Sequence, residues 1–582
     1  MYDLAIVGGT VVDGTGSAPF TADVAVSGGR VTLVGKLDGP AARTIDAAGA
    51  VVTPGFVDLH THYDGQVSWD GELSPSSLHG VTTAVMGNCG VGFAPVRASD
   101  RETLIRLMEG VEDIPGSALA EGIQWRWESF PEYAEALDAM PHSIDFALQV
   151  PHDALRVYVM GERGVQGLAA TDADIAAMRS LLRDALTAGA AGFSTGRTDN
   201  HRSADGKATP AAEATIAELT GLAGAFEGLS HGVLQAVSDF DMDAGPSRFD
   251  PEFDVVLAMA RAARGHRTSI SLLQRDGASD QWERILGRCE EAEAEGTPIR
   301  VQVAARAIGV LLGLEATFHP FVGFPSYKRI SQLSLEERVS AMSNPDFKRQ
   351  LLTEKSEPLA GDGSAVPPLA DKLLENIDFV AMRLFRIGEN PNYEPNIQDS
   401  LYGQALAAGR PVLDVLYDAL LLDGGKELLY FPLMNYSGRS LDTVFKMLSH
   451  PLALPGLSDG GAHVGTVCDA SFSTFMLTHW ARDTGRIPLQ KVVSMLARET
   501  AEHLGVKDRG VIAAGKRADL NVIDLGKLRL RRPGMRRDLP AGGRRLIQEV
   551  DGYIATLVAG EVVRDASGLT AARPGRLVRL GQ

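Results

Sequence analysis

Eight short apolar runs, separated by stretches with helical spacing, constrain the fold of this chain more than any other feature. They read VVTPGFVDLH, VTTAVMGNC, SIDFALQVP, AAGFSTG, GVLQAVSD, TSISLLQ, IRVQVAA and LALPGLSD, and they span residues 51 to 459. Between them, DADIAAMRSLLRDALTAG and SDQWERILGRCEEAEAEG carry apolar positions three and four residues apart and end at glycine, as crossover helices do. Runs alternating with such helices are the pattern of βα units around a parallel sheet. Eight of them predict an α/β fold, a (β/α)8 TIM-like barrel, with its chemistry at the C-terminal ends of the strands.

Residues 1 to 50 do not fit that repeat. LAIVGGTVV, DVAVSGGRVTLVG and RTIDAAGAVVTPG alternate with glycine turns, as in hairpins, and a similar signal returns late in KRADLNVIDL and YIATLVAGEVV. Neither end has enough strands to bury a face alone. One small β-sandwich domain built from both termini is expected, residues 1–53 plus 509–582, around a barrel at 54–508. The span of about 318–449 is too long for a loop and holds helical patterns of its own, such as LSLEERVSAM and PVLDVLYDALLL. It is expected to cover the barrel mouth. VGGTVVDGTG is not a dinucleotide site, because a strand follows it where that motif needs a helix N-terminus.

The formal charge of -18 argues against nucleic acid or an anionic membrane as a partner, since phosphate binding requires a basic face. MYDLAIVGGTVVDG reads as a first strand rather than a signal peptide, and no run of about 18 apolar residues suggests a membrane span. Cys89, Cys289 and Cys468 lie far apart and form no disulfide framework. A cytoplasmic location is expected; the oligomeric state is left open, a homo-oligomer included.

The chemistry is concentrated at the predicted strand ends. His60 and His62 close the first run, and i, i+2 spacing puts both imidazoles on one face. Alone, such a pair is as well explained by a polar turn facing water. Asp459 ends the eighth run, which neighbours the first when a barrel closes, so two histidines and a carboxylate converge. That set suits Zn²⁺ with an open position for water, and Asp459 could act as general base and acid. Its plain alternative is a helix N-cap before GGAH. Cys89, at the end of the second run, is either a thiolate ligand or a small buried hydrophobe.

PGFVDLHTHYD, GVTTAVMGNCG and the downstream SDG, together with ETAEHLGVKDRGVIAAGKRADLNVID, resemble the amidohydrolase superfamily, and within it the D-aminoacylase (N-acyl-D-amino-acid deacylase) group. The resemblance covers nearly the whole chain. It implies that His60, His62, Cys89 and Asp459 are metal ligands and that Asp459 is the catalytic aspartate. It further implies a metal-dependent hydrolase in which metal-bound hydroxide attacks the amide of an N-acyl-D-amino acid, a small acylated substrate. The group's histidines of strands five and six are missing: those places read LQAVSDF and SISLLQR, and Gln235 and Gln274 are poor substitutes for imidazole. One zinc per chain is therefore expected. The group's strand-six lysine is also absent. Arg197 and Arg306 could clamp a substrate carboxylate, or form ordinary salt bridges. His152 could donate to an oxyanion, His201 could complete the metal shell, and His463 could bind substrate, orient Asp459 or join the shell. Hydrolysis of a lactone, a cyclic amide or another non-peptide C–N bond remains an alternative, as does a non-catalytic binding barrel.

Overall fold

The computed structural model describes residues 1–240, 245–359 and 375–581; residues 360–374 of the expected covering insertion lie outside the described residues. Eight parallel strands follow one another in sequence order: β1 (Phe56–Asp58), β2 (Val81–Met86), β3 (Asp145–Pro151), β4 (Gly192–Arg197), β5 (Val233–Ser238), β6 (Arg267–Leu272), β7 (Ile299–Val303) and β8 (Ala453–Pro455). The two end strands meet just past their C-termini through a parallel bridge between Thr61 and Gly460, where His62 N–H donates to Gly460 O at 2.8 Å. Each of the eight apolar runs thus contributes a barrel strand. Every residue of β2, β3, β4 and β5 is buried. Burial on both faces is why these strands read as continuous apolar runs rather than alternating ones.

The crossover helices form for local reasons. Thr171 caps Asp172–Thr187, with Asp174 reaching back to the cap N–H, and the helix buries Met178, Leu182, Ala185 and Leu186 along one stripe. Each such large apolar side chain stabilises the packed helix by roughly 1.5–3 kcal/mol. Cys289 lies on the buried face of Gln281–Ala294.

The first run holds two strands, not one. Val51–Pro54 pairs with Leu520–Ile523 in a nine-stranded sheet made from both chain ends, whereas Phe56–Asp58 belongs to the barrel. Gly55 makes the step between them, and a Cβ there would sit 2.2 Å from Thr82 Oγ1. Arg509 joins the two sheets, donating to Thr83 Oγ1 and Asp145 Oδ2, both at 2.7 Å.

The insertion opens on a strand at Ile308–Leu312, which pairs antiparallel with Leu429–Met434. Its own core includes Leu351, Leu384, Leu401, Leu416 and Tyr417. Leu311 N–H bonds Thr466 O at 2.7 Å, and Asn435 and Gln274 exchange two hydrogen bonds at 2.7 and 2.8 Å. These contacts seat the insertion on the loops that follow β6 and β8, at the C-terminal rim. Asp442–Leu448 packs instead on β8 and β7 as a barrel helix. Among the described residues, no helix is long and apolar enough to cross a membrane.

Candidate metal centre

His60 and His62 leave β1 with their rings turned inward, each 1% exposed. Asp58 fixes the exit: its Oδ1 accepts His60 N–H at 3.2 Å and its Oδ2 lies 2.6 Å from Ser458 Oγ. Gln302 on β7 donates its amide to Ser269 Oγ at 2.9 Å, which turns its Oε1 toward His60 Nδ1 at 2.8 Å. His60 therefore carries its proton on Nδ1 and presents a bare Nε2 to the interior. That Nε2 lies 3.2 Å from Cys89 Sγ and 3.5 Å from Asp459 Oδ1. His62 Nε2 lies 3.8 Å from the same Asp459 oxygen. His60, His62 and Cys89 each offer a ligand atom within 4.8 Å of the others.

Cys89 reaches this point on a tight turn after β2. Its φ of 55° is left-handed, a conformation that costs a residue with a Cβ about 1–3 kcal/mol. Gly90 beside it is also left-handed, and a Cβ there would fall 2.7 Å from Gly196 N. Three side chains hold the turn: Gln235 Oε1 accepts Cys89 N–H at 2.9 Å, Ser194 Oγ accepts Gly90 N–H at 2.9 Å, and Asp64 Oδ2 accepts Gly87 N–H at 3.2 Å. Gln235, at the place of the missing strand-five histidine, thus steadies the cysteine from behind.

Asp459 follows β8, also at a left-handed φ of 49°, and donates its N–H to His60 O at 3.2 Å. Its side chain is 16% exposed, so the centre opens on this side. Burial pushes the His60 imidazole down to about 4 and the Asp459 carboxyl up to about 6. Burial likewise holds His62 well below the usual imidazole value and Cys89 well above the usual thiol value. Two neutral imidazoles and a thiol in a dry pocket form a donor set that fits zinc, the thiol giving up its proton on ligation.

Glu112 also belongs to this centre, and sequence reasoning did not find it. It ends the helix Arg101–Glu112 and is 1% exposed, with Oε1 3.2 Å from His62 Nδ1 and Oε2 3.6 Å from His463 Nε2. Burial, reinforced by Asp459 and Asp64, holds its carboxyl well above the ordinary value. An acid in the last turn of a helix opposes the helix dipole, and that is the signal the sequence offered.

The structure brings some of the other candidates close and not others. His463 sits at the rim, 29% exposed. His201 lies within the field of His463 and His60, and burial, the largest cause, pushes it down to about 3. His152 is turned away: its ring nitrogens meet Thr195 Oγ1 at 2.9 Å and Glu218 Oε1 at 3.0 Å, in a buried cluster with Arg156. Arg197 is held by Glu252 at 2.5 and 3.0 Å and by Ala214 O. Arg306 is held by Asp469 at 2.9 Å and by Cys468 O, with its guanidinium over the Tyr393 ring. His152 and Arg197 thus have buried partners of their own, whereas Arg306 keeps Nη1 buried without a hydrogen-bonding partner among the described residues.

The amidohydrolase family profile matches residues 43–357 and 420–564, most of the chain. The chain belongs to the amidohydrolase family, which makes it a hydrolase acting on carbon–nitrogen bonds other than peptide bonds. It is similar to the D-aminoacylase of Alcaligenes xylosoxydans xylosoxydans, with 28% identity over 528 residues that cover 90% of this chain and 88% of that one. An N-acyl-D-aspartate deacylase from the same organism is 38% identical over 195 residues, 33% of this chain and 36% of that protein. Among solved structures, a D-aminoacylase superposes with a TM-score of 0.64 at 24% identity over 100% of both chains. The N-acyl-D-glutamate deacylase of Bordetella bronchiseptica, solved with zinc and a phosphonate inhibitor, gives 0.64 at 23% identity over 99% of both. At these identities the solved structures establish the shared fold.

Proposed function

We propose that this protein is a zinc-dependent deacylase that cleaves the amide bond of N-acyl amino acids, with preference for the D configuration. The observation that carries the reading is the convergence of His60, His62 and Cys89 within 4.8 Å, with Asp459 Oδ1 3.5 and 3.8 Å from the two imidazole Nε2 atoms. The names of the relatives, D-aminoacylase and N-acyl-D-aspartate deacylase, support the substrate class.

In this reading His60 and His62 through Nε2, and Cys89 through its thiolate, hold one zinc per chain, with Asp459 on the open side. A zinc ion there supplies Lewis acidity, polarising the scissile carbonyl and making a neighbouring water more acidic. Asp459 takes a proton from the attacking water and returns it to the amine nitrogen as the C–N bond breaks, releasing a carboxylate and an amino acid. Its raised pKa of about 6 suits a group that must both accept and donate near neutrality. His463 and His201 face the substrate at the rim. The barrel at 54–508 carries the site, residues 1–53 with 509–582 form a separate supporting unit, and the enzyme works in the cytoplasm on a small acylated substrate.

One observation favours a second reading, hydrolysis of a cyclic amide or lactone: Arg197 is taken up by Glu252 and Ala214 O, so it is not available to a substrate carboxylate. Elemental mass spectrometry of protein purified without added metal, with turnover measured on N-acyl-D-, N-acyl-L- and cyclic amide substrates, separates these readings. About one zinc per chain, lost in His60→Ala/His62→Ala, with release of free D-amino acid is the expected result. Zinc-loaded protein that opens only cyclic substrates would establish the second reading.

A further inference from the structure

We infer that Glu112 is a positioning residue of the metal centre: its carboxyl group, 3.2 Å from His62 Nδ1 and 3.6 Å from His463 Nε2, sets the orientation of His62 and of the rim beside it. The inference rests on the metal-centre reading above and adds to it a residue that orients one ligand and couples it to the substrate-facing edge.

Three observations carry it. Among the described residues, neither oxygen of Glu112 nor His62 Nδ1 has a hydrogen-bonding partner, and all three atoms are buried. A buried acid left without a partner costs stability, so a fold that keeps one beside a ligand has a use for it. Next, the two nitrogens of an imidazole point in diverging directions. His62 Nε2 lies 3.8 Å from Asp459 Oδ1, whereas Nδ1 lies 3.2 Å from Glu112 Oε1, so Glu112 sits on the Nδ1 side of the ring and Asp459 on the Nε2 side. A carboxylate in that place fixes the tautomer and makes the ligand more basic. His60 is oriented by the amide of Gln302 at 2.8 Å, so the two ligands differ in the group beside Nδ1.

The third observation is how firmly Glu112 is placed. Its carbonyl accepts the N–H of His463, so main chain ties it to the loop whose side chain it also meets. The next residue, Asp113, turns left-handed at φ 50° and gathers Thr317 Oγ1 and Thr466 Oγ1 at 3.1 Å and Gly465 N–H at 3.3 Å. This pair of acids therefore joins three parts of the rim: the end of the β2–β3 helix, the loop after β8 and the start of the insertion.

The test is zinc affinity, measured by competition with a chromophoric chelator on the full-length wild type, Glu112→Gln, His62→Ala and the double variant. Glu112→Gln keeps size and fold, with an unchanged melting midpoint of the metal-free protein, and binds zinc about 10- to 100-fold more weakly. In the His62→Ala background, read at higher zinc, the same substitution adds no further loss, which a merely structural role would not produce. KM rises through the loosened His463. If folded Glu112→Gln binds zinc as wild type does, or loses as much affinity without His62 as with it, the inference is wrong. Should Glu112→Gln not fold, Glu112→Asp, which retains the charge with a shorter reach, replaces it, and wild-type affinity in that variant overturns the inference equally. Absence of zinc from the wild type would instead overturn the metal-centre reading itself, and this one with it.

Discussion

At the scale of single residues, Asp459 is where geometry and electrostatics meet most directly. Its Oδ1 lies 3.5 and 3.8 Å from the two imidazole Nε2 atoms, and it stands at the open side of the pocket. Asp459→Asn is expected to keep zinc on His60, His62 and Cys89 and to lower kcat by about 10²- to 10⁴-fold, the usual worth of a positioned acid–base group. The pH dependence has a definite sign. The carboxyl must be ionised to accept a proton, and burial raises its pKa to about 6, so kcat/KM falls as pH drops through that region. A nearby cation favours the ionised form and moves this limb to lower pH. An acid limb centred well above 7 in the zinc enzyme, or Asp459→Asn with wild-type turnover, would rule out Asp459 as the base. His60, His62, Cys89 and Asp459 were legible because each ends an apolar run, and strand ends converge whatever the loops do. The partners of His152, Arg197 and Arg306 were not legible for a related reason. A strand-end position says nothing about which way a side chain turns, and the acids that claim His152 and Arg197 lie 66 and 55 residues further along the chain.

At the scale of elements, the turn after β2 decides whether Cys89 reaches the site. Gly90→Ala places a Cβ 2.7 Å from the Gly196 backbone nitrogen at a φ of 82°, so the strand cannot accept it without moving. The expected outcome is a loss of about 1–3 kcal/mol in stability, accompanied by weaker zinc binding as Cys89 shifts. Denaturant unfolding and metal titration of the same preparation check both, and an alanine variant with wild-type zinc affinity would show that the turn tolerates displacement. The cluster of His152, Glu218 and Arg156 gives the opposite pattern. His152→Ala leaves Glu218 short of a buried partner and should lower stability by about 1–3 kcal/mol while KM stays unchanged. A raised KM with intact stability would return His152 to the substrate pocket. Sequence patterning resolved these elements well but merged two strands across Gly55, since VVTPGFVDLH is apolar throughout and only the chain's change of sheet separates them. Glu112 stayed hidden because its helix lies in a connection, and only docking of that helix on the rim points its last turn at His62.

At the scale of the whole molecule, the nine-stranded sheet and the barrel depend on charges buried between them. The return of the chain to its first sheet was legible, because neither end alone supplies enough strands. The joint was not legible: nothing in the local sequence marks Arg509 as buried, yet it is 8% exposed and meets Asp145, 364 residues away. Arg517 reaches the same carboxylate at 3.0 Å and Asp519 at 3.1 Å. Even with both arginines beside it, burial lifts Asp519 to about 6. Arg509→Ala removes one counter-ion from Asp145 and Asp519 and should destabilise the protein by about 3–5 kcal/mol near neutral pH, as breaking a buried pair does. The deficit depends on pH in a direction that linkage fixes. Without Arg509 the folded-state pKa of Asp519 rises further above its unfolded value of 3.8, so unfolding releases protons over a wider range and stability falls more steeply as pH increases. Below about pH 4 the carboxyl is protonated in folded and unfolded chains alike and the charge-linked part of the deficit vanishes; it grows as pH rises through 6 and is complete above the shifted value. Urea unfolding of the wild type and Arg509→Ala at pH 5 and pH 8 measures this, the variant losing more at pH 8, whereas an equal loss at both would mean that Arg509 contributes packing rather than charge.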